Sequence, residues 1–118
     1  MKLLIVDDSL FMRQFIRTAL AKLNIDVIIE AADGIEAITK YRIHQPDLVL
    51  MDIMMPNLDG IEALREIRTL DQNAHVIIIS STRNQRLVNQ IKTLGAHAYV
   101  QKPVPKMQIE DLVSDYCH

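Results

Sequence analysis

Leu48-Val49-Leu50-Met51-Asp52 reads as four apolar residues in unbroken succession closed by an acid. A strand with one wet face alternates apolar and polar residues, whereas an unbroken run is what a parallel strand needs when helices cover both of its faces. Four other segments share this form: Leu3-Leu4-Ile5-Val6 closed by Asp7-Asp8, Val27-Ile28-Ile29, Val76-Ile77-Ile78-Ile79 closed by Ser80, and Ala98-Tyr99-Val100 followed by Lys102. Five short strands are therefore expected.

Between them lie longer stretches with apolar residues at helical spacing. The first helix is expected to start after Ser9, whose hydroxyl can cap it, to carry Phe15, Ile16, Ala19, Leu20 and Leu23 on one side, and to stop near Asn24. A second, short helix follows Asp33-Gly34, turns Ile35, Ile38 and Tyr41 inward and ends before Pro46. Asp59 with Glu62 has the form of a capping box and opens a third, presenting Ile61, Leu64 and Ile67. The fourth carries Leu87, Val88, Ile91 and Leu94 and stops at Gly95, a residue suited to a left-handed C′ position. The fifth follows Pro105 with Ile109, Leu112, Val113 and Tyr116 on one stripe. The alternation predicts an α/β fold, a (βα)5 doubly wound five-stranded parallel sheet, because parallel strands need helical crossovers. The flavodoxin-like strand order 2-1-3-4-5 is carried over from known sheets of this class rather than read from the residues.

At 118 residues the chain is the size of one domain, and residues 1–118 are read as a single unit. Its 49% hydrophobic and 24% charged content is that of a globular protein. A net charge of -2 disfavours direct nucleic-acid binding, which needs a strong positive field. The first apolar run is too short for a signal-peptide core or a membrane span, so no membrane insertion and a cytoplasmic location are expected. The single Cys117 cannot form an intrachain bridge and is read as a bystander thiol. His44, His75, His97 and His118 lack metal-binding spacing, so ligand roles are not expected of them.

The polar residues that interrupt the strands all stand at carboxyl ends, which share one rim of a doubly wound sheet. With the first and third strands adjacent, Asp7, Asp8 and Asp52 come together. Three close carboxylates repel unless a cation neutralises them, and an all-oxygen donor set favours Mg²⁺ over zinc. A carboxylate beside such an ion and an ammonium can attack phosphorus and form an acyl phosphate. Asp52 is the candidate acceptor, with Asp7 and Asp8 as metal holders, Ser80 a hydrogen-bond donor to a phosphoryl oxygen, and Lys102 a point charge on another. Taken singly, strand-end acids are commonly caps, and Asp33 and Asp59 are read that way. Tyr99, by itself, is more often a packed aromatic than a switch, and Met54 and Met55 equally fit as core filler.

Together, Leu4-Ile5-Val6-Asp7-Asp8-Ser9, Pro46 to Asp52 with Met55-Pro56 and Asp59-Gly60, Ile79-Ser80, Gly95-Ala96 and Lys102-Pro103 resemble the receiver domains of response regulators across the whole chain. The stretch Asp7 to Arg13 resembles the chemotaxis-type, CheY-like members in particular. The resemblance implies that Asp52 is the phosphoacceptor, that Asp7, Asp8, Asp52 and the Met54 backbone carbonyl bind Mg²⁺, and that Ser80, Lys102 and Tyr99 are phosphoryl-contact and switch residues. It further implies a cis Lys102-Pro103 bond, a sensor histidine kinase as donor, and an effector such as a flagellar motor switch or an output domain. The surface of the fourth helix, fifth strand and fifth helix would contact that effector, with the protein a monomer or an activation-linked dimer. Met54 and Thr82 stand where the family tunes phosphoryl lifetime, and neither is an acid or amide, so slow self-hydrolysis is expected.

On this reading the protein is a signalling phosphoacceptor, not a turnover enzyme. A Mg²⁺-dependent phosphohydrolase would need a substrate pocket and a further acid near Asp52. A flavin module would need a phosphate-cradling loop where this chain has Asp7-Asp8. A binding module that has lost phosphorylation would not be expected to keep all five polar residues.

Overall fold

The computed structural model describes residues 1–116. The reading of Cys117 as a bystander thiol, and any role of His118, lie outside the described residues.

Five strands, β1 (Lys2–Val6), β2 (Val27–Ala31), β3 (Leu48–Met51), β4 (Val76–Ser80) and β5 (Ala98–Gln101), alternate with five helices, α1 (Leu10–Ala19), α2 (Gly34–His44), α3 (Gly60–Leu70), α4 (Gln85–Thr93) and α5 (Lys106–Ser114). All pairings are parallel and the sheet order is β2-β1-β3-β4-β5. The chain therefore has the (βα)5 fold that the strand pattern pointed to, in the flavodoxin-like order carried over from known sheets of this class.

Period-two alternation within the unbroken runs divides two cores. Leu4 and Val6 pack with Ala37, Tyr41, Leu64, Ile67 and Ile91 under α2, α3 and α4. Leu3 and Ile5 pack with Ile16, Ala19, Ile109 and Val113 under α1 and α5. Each such Leu or Ile is buried almost completely and contributes roughly 1.5–3 kcal/mol, which is why continuous hydrophobicity, not alternation, marks these strands.

Several helix details differ from the sequence reading. α1 ends at Ala19, not near Asn24, because the Leu20 N–H bonds back to both Ile16 and Arg17 and the Ala21 N–H to Thr18, tightening the chain into a turn around buried Leu20. In α2, Gly34, Ala37 and Tyr41 face the core while Ile35 is exposed, and the helix is as long as α3. The capping box of α3 forms by half: Asp59 accepts from the Glu62 N–H at 3.0 Å, but the Glu62 carboxylate pairs with Arg65 instead of reaching back. In α4 only Ile91 is fully buried, and Gly95 takes φ 84° as the C′ residue. Arg68, on α3, donates to Leu94 O at 3.1 Å and to Gly95 O, carbonyls that the end of α4 leaves open, and to Ala74 O at 2.6 Å in the connection from α3 to β4. No periodicity argument assigns a surface arginine that role.

Candidate functional site

Parallel ladders carry the backbone up to the acids. The Asp7 N–H donates to Ala31 O at 3.1 Å and the Asp52 N–H to Val6 O at 2.9 Å, and the Val6–Met51 register sets the two acids on neighbouring strand ends. Asp7 and Asp52 are 3% and 6% exposed, while Asp8 faces solvent. One oxygen from each of Asp7, Asp8 and Asp52 lies within 4.8 Å of the others.

Each acid has a distinct environment. Asp7 Oδ1 accepts from the Ser9 N–H at 2.9 Å, and Ser9 Oγ in turn caps α1 through the Met12 N–H at 3.2 Å. Asp7 Oδ2 accepts from Lys102 Nζ at 3.0 Å, and the same ammonium stands 3.5 Å from Asp52 Oδ2. Lys102 is held there because its own N–H donates to Ser80 O at 2.8 Å, at the end of β4. The Lys102–Pro103 peptide is cis. The Met54 N–H approaches Asp52 Oδ1 at 3.4 Å, and the loop behind them closes where the Gly60 N–H meets Ile53 O at 2.8 Å.

Burial above all raises the Asp52 pKa from the ordinary carboxylate range; the Lys102 ammonium opposes the rise and the Asp7 charge adds to it. Because the folded value lies above the unfolded one, the folded state holds the extra proton between them, and stability falls as pH rises through that window. Difference melts of the metal-free wild type against Asp52→Asn should therefore diverge from about pH 4 upward, the wild type losing ground. A constant difference across that range would show that ionised Asp52 costs the fold nothing.

Ser80 and Tyr99 are placed on the rim but converge on Thr82 rather than on the acids. Fully buried Ser80 Oγ accepts from the Thr82 N–H at 3.3 Å, and half-buried Tyr99 donates its hydroxyl proton to Thr82 O, as Gln101 Nε2 does at 3.3 Å. Thr82 thus joins β4 to β5 above the sheet, a role invisible in a polar Ser80-Ser81-Thr82 loop. A second unforeseen group backs the acids: Arg13 donates to Asp7 O at 2.6 Å and to Glu30 at 2.7 Å, and Arg17 reaches the other Glu30 oxygen at 2.6 Å. Burial pushes the Glu30 carboxyl up, but the two guanidiniums prevail and hold it below the usual range. Asp33 and Asp59 are N-caps, as read; Asp33 also accepts from Asn57 Nδ2 at 2.7 Å.

The donor set suits a hard divalent cation. Three carboxylates cluster at the rim, the one ammonium there contacts Asp7 and Asp52 but not exposed Asp8, and every ligand atom of the cluster is oxygen. Among the described residues no helix is long and apolar enough to cross a membrane.

Comparison with known proteins agrees with this geometry. The profile of the family described as "Response regulator receiver domain" matches residues 3–114. The chain is 44% identical to the "Chemotaxis protein CheY" of Bacillus subtilis (strain 168) over 86% of this chain and 85% of that protein. It is 40% identical to the protein of the same name from Halobacterium salinarum, over 97% and 94% of the two chains. Among solved structures, the CheX-CheY-BeF3-Mg²⁺ complex from Borrelia burgdorferi superposes with a TM-score of 0.87 at 34% identity, covering 99% of this chain and 90% of that one. With five parallel strands in the same order, an acid-lined rim and a family match over nearly its whole length, the chain belongs to the receiver domains of two-component response regulators, in their CheY-like branch.

Proposed function

We propose that Asp52 accepts a phosphoryl group from the phosphohistidine of a sensor histidine kinase. The observation that carries this reading is the convergence of Asp7, Asp8 and Asp52 within 4.8 Å beside the Lys102 ammonium. In the transfer an Asp52 carboxylate oxygen forms the new O–P bond, the N–P bond of the donor breaks, and its electron pair stays on the imidazole nitrogen, which takes a proton. Asp7, Asp8, Asp52 and the Met54 backbone carbonyl would hold Mg²⁺. When bound, that ion offsets the negative charge gathered on the acids and the phosphoryl oxygens. The Lys102 ammonium, already between Asp7 and Asp52, neutralises part of the same charge and orients the acceptor.

Phosphorylation adds roughly two negative charges at Asp52. Lys102 and Ser80 turn toward them. Withdrawing the Ser80 hydroxyl from the Thr82 N–H releases the loop that also anchors Tyr99, so Tyr99 moves inward and the α4-β5-α5 surface shifts to an effector-binding form. Chemotaxis is the favoured pathway, since both curated relatives above bear chemotaxis names; the effector is then a flagellar motor switch or an output domain, and the setting cytoplasmic. The protein is a phosphoacceptor that assists its own phosphorylation and dephosphorylation, not a turnover enzyme; hydrolysis of small phosphate esters with multiple turnovers would contradict this.

Intact mass spectrometry after incubation with acetyl phosphate tests the reading. One phosphoryl group per chain is expected with Mg²⁺ and none after chelation; equal labelling in both arms, or none in either, counts against it. Lys102→Ala should slow uptake about 10–100-fold, the loss of one charge-assisted contact, and blunt the shift of Tyr99 fluorescence on phosphorylation. An unaltered response in that variant removes Lys102 from the switch.

A further inference from the structure

The loop between β3 and α3 carries Met54, whose backbone carbonyl is the one non-carboxylate donor in the Mg²⁺ set proposed above. Its two ends are tied to the acceptor strand: the Met54 N–H approaches Asp52 Oδ1 at 3.4 Å, and the Gly60 N–H donates to Ile53 O at 2.8 Å. Its middle is anchored from outside, by the start of α2. Asn57 Nδ2 donates to Asp33 Oδ2 at 2.7 Å, while Asp33 Oδ1 accepts from the Glu36 N–H at 2.8 Å as the N-cap of that helix. One carboxylate thus fastens both helix and loop. The Glu36 N–H first, and the Asn57 amide after it, hold the Asp33 carboxyl below its ordinary range, so the bond to Asn57 is charge-assisted.

Two backbone features accompany this bond. Asn57 sits at φ 66°, in the left-handed region that asparagine tolerates better than most side chains. Gly34 lies so close to the loop that a Cβ there would stand 2.0 Å from Leu58 O and 2.7 Å from Leu58 C. Asp33-Gly34 and Asn57-Leu58 therefore meet as two adjacent pairs, one joined by a hydrogen bond and one by direct backbone contact. Glycine at position 34 is what lets the first turn of α2 seat against the loop.

We propose that Asp33 and Asn57 are positioning residues for the metal, their bond fixing the β3–α3 loop so that the Met54 carbonyl is already in place when Mg²⁺ binds, a role that rests on the Mg²⁺ set proposed above. Neither side chain is itself a ligand. A loop without the tie has to be ordered as the ion arrives, and that conformational entropy is subtracted from affinity. The coupling is reciprocal, so bound Mg²⁺ strengthens the Asp33–Asn57 contact by the same factor.

Capping and tethering are separable by substitution. Asp33→Ser keeps a good N-cap but is too short to reach Asn57, and Asn57→Gly keeps the left-handed backbone but has no amide. Asp33 is half-buried and Asn57 exposed, so neither change opens the core. In the 118-residue protein, Mg²⁺ titration followed by amide chemical shifts should show each variant weakened about 10-fold, the low end for loss of a group that supports a ligand, and the double variant no weaker than the singles. Without metal, hydrogen exchange at the Gly60 N–H should quicken in both singles. The exchanged pair, Asp33→Asn with Asn57→Asp, keeps the net charge and restores an amide–carboxylate bond between the same positions, so it should recover most of the lost affinity. Wild-type affinity in both singles, losses that add in the double variant, or an exchanged pair as weak as the singles overturns the positioning role and leaves Asp52 as acceptor. Absence of Mg²⁺ binding by the wild type overturns both readings.

Discussion

Asp52→Asn is expected to reduce phosphoryl uptake from acetyl phosphate to below detection while the protein stays folded. The amide keeps the shape of the side chain but has no anionic oxygen to attack phosphorus. The same variant should melt higher than the metal-free wild type, since it removes a carboxylate whose burial raises its pKa and which faces the Asp7 charge. Labelling of Asp52→Asn at wild-type stoichiometry would remove Asp52 from the mechanism.

Gly60→Ala is expected to be the most damaging small substitution near the site. A Cβ at Gly60 would stand 2.3 Å from the Asp52 carbonyl oxygen and 2.7 Å from Ile53 Cα, and neither is a flexible side-chain end that could swing away. The backbone of the acceptor strand would have to move, at a cost of about 3 kcal/mol or more, and Asp52 would move with it. Gly95→Ala is the control: it carries the strain of φ 84°, but its nearest neighbours are the Arg68 guanidinium atoms from 3.2 Å, so about 1 kcal/mol is expected. Chemical denaturation of the two variants should separate them by about 2 kcal/mol, and phosphorylation should be slowed in Gly60→Ala alone. Equal stabilities would show that the β3–α3 connection yields although Gly60 packs directly against the Asp52 and Ile53 backbone.

What the sequence made legible follows from where the physics is local. Continuous apolar runs such as Leu48 to Met51 reported burial on both faces, and the carboxyl-end position of Asp7, Asp8, Asp52 and Lys102 reported a shared rim; both depend on near-neighbour chemistry and strand direction. The early end of α1 was not legible, because Leu23 continues the apolar spacing although hydrogen bonds at Leu20 and Ala21 have already closed the helix. Ile35 misled for the opposite reason: it has the right residue type, yet Ala37 and Gly34 take the core face of α2, where a Cβ on Gly34 would meet Leu58 O at 2.0 Å. Thr82 and Arg68 escaped because each acts through a backbone carbonyl paired with a segment remote in sequence, and Arg13 because it joins the Asp7 carbonyl to Glu30 on the next strand, pairings for which no spacing rule exists. The tie between Asp33 and Asn57 belongs to the same class, since the packing of α2 against the β3–α3 loop, not motif spacing, brings them together.

The most direct measurement reduces the phosphorylated protein with borohydride, which converts an acyl phosphate on aspartate to homoserine, and maps the product by peptide sequencing. Homoserine at position 52, formed only when Mg²⁺ was present during phosphorylation, is the predicted result. Homoserine at Asp7 or Asp8, or a phosphoryl group on Ser80 or a histidine that resists reduction, would contradict it.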